Sequence, residues 1–147
     1  MELIINLYLM IGFILIGTLI VMGYVIPHSL RFFRYSRFYT QALVSSFILL
    51  LIGIALQSYE NQDCDERRLM FYPLCLLIFL LLYKLSDNIA MKKLKRHMYY
   101  LTMWQIRDEE SSKSTLIENI TQYTIFLISI FIPMAVSNWF VNNWYSC

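Results

Sequence analysis

The residues of this chain that could do chemistry are few: two histidines, three cysteines and a pair of aspartates. His28 and His97 are far apart in sequence. Cys64, Cys75 and Cys147 show no CxxC spacing, and Asp63 and Asp65 flank Cys64. A structural zinc site needs four N or S ligands converging on one point. Here the histidines and cysteines border opposite ends of long apolar runs, so a mixed site would need ligands from opposite faces of a membrane. Two carboxylates in a short acidic loop read as a solvated turn, and no Gly-rich phosphate loop occurs. The pattern supplies no catalytic set, no metal set and no cofactor motif. One covalent expectation remains. Cys64 and Cys147 should share a side, and a disulfide between them in an oxidising compartment would tie a loop to the C-terminus.

The elements that must position these residues are apolar. Hydrophobic residues make up 59% of the 147 and charged residues only 15%, with a mean hydropathy of +0.55. That composition excludes disorder, a coiled coil and a water-soluble enzyme. Crossing a hydrocarbon core takes about 20 apolar residues in a helix. Four runs qualify, at 3–26, 39–57, 69–85 and 120–141, within one membrane domain covering 1–147. The expected fold is an all-α integral membrane protein: four transmembrane helices in a small bundle. The third run is the shortest and ends on Lys84, whose ammonium can reach an interface while its methylenes stay in lipid.

Charge placement orients the bundle. Arg31, Arg34 and Arg37 follow the first run, and seven more bases lie between Lys84 and Lys113. Together these are ten of the twelve Lys and Arg residues. Only Arg67 and Arg68 fall on the other side, among Glu60, Asp63, Asp65 and Glu66. The positive-inside rule then places both basic loops, including 86–118, in the cytoplasm and both termini outside. A bacterial inner membrane suits this arrangement, as does an organellar one. Trp139, Phe140, Trp144 and Tyr145 form an aromatic girdle where the last run should leave the membrane.

Two patterns suggest contacts. Ala42, Ser46 and Gly53 lie on one helix face, where small residues permit close helix packing or docking of another subunit. Between the third and fourth runs, Ala90, Met91, Leu94, Met98 and Leu101 recur at helical spacing, with Lys92, Lys93, Lys95 and Arg96 turned away. That spacing predicts a basic amphipathic helix facing anionic lipid headgroups or a protein partner. Ser114 or Thr115 is placed to cap the lead into the last run, with Glu118 in its first turn.

Pumps and proton-coupled carriers place ionisable groups at membrane depth, and the four runs hold none except Lys84 at an edge. The leading expectation is therefore a non-enzymatic polytopic subunit that scaffolds or anchors a larger membrane assembly, of secretion or energy-converting type. Its partners would be other membrane subunits and anionic lipid, not nucleic acid. One alternative is a small immunity protein against a membrane-active toxin. Another is a lipid or solute transporter or enzyme with a cavity lined by Thr40, Ser45, Ser46, Tyr123 and Asn138.

Overall fold

The computed structural model describes residues 2–21, 27–57, 63–99 and 113–145. Every regular element among them is helical. The order is α1 (Glu2–Ile20), a 3₁₀ segment (Pro27–Arg34), α2 (Ser36–Leu56), a short α3 (Cys64–Leu69), α4 (Tyr72–Leu94) and α5 (Leu116–Tyr145). Four stretches are long and apolar enough to cross a membrane: α1, α2, α3 with α4, and α5.

Three of the long helices, α2, α4 and α5, depart from their expected limits. Helix α1 is described as far as Ile20, and residues 22–26 lie outside the described set. Helix α2 starts earlier than expected, at Ser36, right after the 3₁₀ segment. The third run, which looked too short, is a 23-residue helix, about 35 Å long at 1.5 Å per residue. Pro73 sits in its first turn, where the missing N–H costs nothing. It continues past Lys84 because its polar residues find partners inside the protein. The Lys84 ammonium lies 5.4 Å from the Tyr39 ring centroid, and Asp87 is buried.

Helix α5 also starts earlier than its apolar run, through a capping box at its N-terminus. The Thr115 N–H donates to Glu118 Oε2 at 2.8 Å, and the Glu118 N–H donates back to Thr115 Oγ1 at 3.3 Å. The helix carries on through Pro133 to Tyr145.

The long helices run up and down, and α4 packs against α1, α2 and α5. One end is pinned by Tyr8. Its hydroxyl lies 2.8 Å from the Leu49 carbonyl and 3.1 Å from the Met70 carbonyl, joining the start of α1 to the end of α2 and the entry to α4. Ile5, Tyr8, Met70 and Tyr72 form the core there. At the opposite end Leu19, Leu30, Phe79, Tyr83 and Met98 pack together, and the Tyr83 hydroxyl donates to the Leu30 carbonyl at 3.0 Å. The segments bearing Arg31, Arg34 and Arg96 share this second end, and Arg67 and Arg68 lie at the first.

The basic amphipathic helix expected over 90–101 does not form as a separate element. Helix α4 runs to Leu94, and Lys95 turns into the left-handed region at φ 57°. Residues 95–99 are then non-helical. Ala90 and Met98 are buried while Met91 and Leu94 are exposed, so the apolar spacing does not make one lipid-facing stripe. Leu101 lies outside the described residues.

Gly53 tests the packing at the Tyr8 end. A Cβ there would lie 2.5 Å from the Met70 carbonyl oxygen, whereas one at Gly17 would meet nothing within 4 Å. Backbone cannot yield as a flexible side chain does. Gly53→Ala is expected to cost about 1–3 kcal/mol, and Gly17→Ala nothing. Thermal unfolding of the detergent-solubilised protein compares the two directly.

Candidate functional site: a lateral groove between polar ends

The polar residues collect at the two ends of the bundle. At the basic end, two buried carboxylates hold residues 96–99. Asp87, on α4, is 2% exposed. It accepts the Met98 N–H at 3.1 Å and contacts His97 Nδ1 at 2.9 Å. Glu118, in the first turn of α5, takes Arg96 in a two-pronged ion pair at 2.7 and 3.1 Å. It also accepts the Tyr99 N–H at 3.1 Å. Arg34 closes the knot by donating to the Met98 carbonyl at 2.8 Å. Met98 is thus gripped at its N–H by α4 and at its C=O by the 3₁₀ segment. The Arg96 guanidinium stacks 3.8 Å from the Tyr99 ring centroid.

Sequence reasoning left Asp87 in the cytoplasmic loop 86–118 and gave Glu118 only a place in the first turn leading into the last run, and so missed this clamp. The signal for Glu118 was present in the Thr115-x-x-Glu118 cap pattern. Nothing local marks Asp87 as buried, because its partners are ten and eleven residues further along the chain.

At the other end Arg67 is buried. It donates to the Gln57 carbonyl, and its guanidinium lies 4.1 Å from the Tyr145 ring centroid. The Gln57 amide donates back to the Arg67 carbonyl at 3.3 Å. Phe140 stacks on Trp144 at 5.2 Å and meets Phe71 edge-on at 5.3 Å. Trp139 and Trp144 are exposed, as a girdle at a membrane surface would be.

Between these ends a groove of about 610 Å³ opens along the bundle. Ile16 of α1 forms one wall, and Ile130, Pro133 and Met134 of α5 the facing one; Phe71 and Cys75 make the floor. Toward the α3 end the lining turns polar, with Asp65 and Arg68 from α3 and Ser137 and Asn138 from α5. The Arg68 Nη1 meets Asp65 Oδ1 at 2.8 Å, and Nη2 donates to Asn142 Oδ1 at 3.2 Å. The groove is open because α1 packs on α3 and α4 but not closely on α5.

The sequence-derived site residues distribute as follows. Ser46 and Gly53 are buried inside the chain: Ser46 Oγ donates to the Ala42 carbonyl at 2.7 Å, and Gly53 abuts Tyr8 and Met70. At Ser46 and Gly53 that small-residue face is used for the chain's own packing, and Ala42 is half-buried. Lys92, Lys93 and Lys95 are exposed, whereas Arg96 and Met98 are drawn into the clamp. Of Thr40, Ser45, Ser46, Tyr123 and Asn138, Asn138 alone lines the groove. Cys64 takes part in a disulfide, Cys75 carries a free thiol, and Cys147 lies outside the described residues, as does the His28 side chain. Among the described residues no group of three or more His, Cys, Asp or Glu is placed to hold a metal ion.

The clamp is open to a residue-specific test. Asp87→Ala should speed amide hydrogen exchange at Met98, and Glu118→Ala should speed it at Tyr99. Because Arg96 is only partly buried, losing Glu118 is expected to cost about 2 kcal/mol, below the range for a fully buried pair. Unchanged exchange at both amides would mean the carboxylates do not hold the segment. No family model, curated protein or solved structure matches the chain, so its function rests on this geometry.

Proposed function

We propose that the chain is a multi-pass membrane protein whose four long helices cross the bilayer, and that it serves as a non-enzymatic subunit anchoring a larger membrane assembly. The observation that carries the reading is how the buried charges are used. Asp87, Glu118, Arg67 and Arg96 each bind the chain's own backbone or each other at the bundle ends. They act as structural fasteners, holding loops onto helices. The outward surface supports the same reading. On α2, Val44, Phe47, Ile48, Leu51 and Ile54 are all about half exposed. An apolar face this continuous needs lipid or another helix against it.

In this proposal the end carrying Arg31, Arg34, Lys92, Lys93 and Lys95 faces the cytoplasm of a bacterial cell, or the equivalent side of an organellar inner membrane. The exposed lysines after Met91 then meet anionic headgroups. The same proposal pairs the disulfide-bonded Cys64 with Cys147 on the outer side, which would tie α3 to the C-terminus. The chain holds only three cysteines, and Cys75 is free.

Gentle detergent extraction of the tagged native protein, followed by mass spectrometry, tests the assembly role. A stoichiometric set of membrane proteins is the expected result; a lone chain or homo-oligomer would remove the reading. The disulfide has its own test. Non-reducing gel mobility should change in Cys64→Ser and in Cys147→Ser alike, and stay unchanged in Cys75→Ser. In a chain-entropy description, closing a loop of this length contributes about 4–5 kcal/mol, so both serine variants should also unfold earlier.

A further inference from the structure

We propose that the groove between α1 and α5 is a binding site for one zwitterionic phospholipid of the phosphoethanolamine type. The lipid's acyl chain would lie along the apolar walls and its headgroup at Asp65 and Arg68. This goes beyond the assembly role and shares with it only the membrane setting.

The polarity of the groove is graded along its length. Ile130, Pro133 and Met134 are apolar, and Ser137 and Asn138, the next turn of α5, are not. From Ile130 to Asn138 the helix rises about 12 Å. An amphiphile has that same gradient, and a compact polar solute does not. The volume lies within the range of small-molecule sites, about 300–1,000 Å³. The groove is open rather than enclosed and is lined by the membrane-length helices α1 and α5, so in the proposed membrane setting a lipid can enter between them.

The charges at the polar end select the headgroup. Arg68 donates one N–H to Asp65 and one to Asn142; each Nη carries a second N–H for a phosphate, and the side chain is partly exposed. Asp65 is highly exposed beside it and can receive an ammonium. The stretch 63–68 carries three acids against two arginines, and Arg67 is buried and committed to Gln57. A purely anionic headgroup would meet Arg68 among excess negative charge. A phosphoethanolamine can place its phosphate on Arg68 and its ammonium on Asp65.

Native mass spectrometry of the isolated full chain, with phosphatidylethanolamine and phosphatidylglycerol of identical acyl chains added in equal amounts, tests this. Phosphatidylethanolamine should be retained about tenfold more; Asp65→Asn should remove most of that preference, the scale of one charge-assisted contact, whereas Arg68→Gln should lower retention of both lipids. Met134 is exposed on the groove wall, so Met134→Trp fills the groove without entering the core and should abolish retention while leaving the unfolding temperature unchanged. Three results would overturn the proposal: equal or greater retention of phosphatidylglycerol, unchanged retention in Met134→Trp, or a photo-cross-link from position 134 to another protein in the native membrane. The retention measurements use the isolated chain, so their failure leaves the co-purification test of the assembly role untouched; the cross-link would overturn the lipid site while supporting that role.

Discussion

A charged carboxylate withdrawn from water is stable only when positive charge or hydrogen-bond donors replace its hydration. Asp87 and Glu118 are in that position, and the basic end of the bundle is built around meeting it. Between them they collect three backbone N–H groups, a bidentate arginine and a histidine. The chain after α4 must fold back to supply those donors. This demand makes α4 stop at Lys95 and draws Arg96 and Met98 inward. It also brings the start of α5 beside the end of α4. The 3₁₀ segment is recruited through Arg34 and the Leu30 carbonyl, so both basic connections are fastened to one point.

The opposite end solves a similar problem with neutral groups and one arginine. Tyr8 satisfies its hydroxyl on two carbonyls where α2 ends and α4 begins. Gly53 lets it approach, since any side chain there would collide with the tyrosine or with the Met70 carbonyl. Arg67 is buried against Gln57 and Tyr145. Helix α4 runs between these two ends with a neighbour on three sides. Helices α1 and α5 are not closely packed on each other, and the groove lies between them. A bundle closed on every side would bury more of Ile16 and Met134 and would have no lateral site.

A subunit of a larger assembly and a lipid-binding chain are compatible on this geometry. The broad apolar faces of α1 and α2 can meet lipid or other helices, while the groove offers a defined position for one lipid molecule. Such a molecule would contact α1, α3, α4 and α5 together and so fill the gap that the helix packing leaves.

The sequence by itself determined the helical class, the number of long apolar helices and the end at which the bases gather. Each follows from a local quantity: the length of an uncharged run, or the position of a charge relative to it. The Thr115–Glu118 cap was legible for the same reason, since its partners are three residues apart. Tertiary structure decided what depends on residues far apart in sequence. Lys84 and Asp87 read as the edge of a run, yet α4 passes through both because Tyr39, His97 and Met98 receive them. The 90–101 stretch has the period of an amphipathic helix, but the two buried carboxylates compete for its backbone N–H groups, and they win because leaving them unpaired costs more than losing one or two helical turns. The groove was illegible for a related reason. It is defined by which helices fail to touch, and no residue pattern within α1 or α5 records that.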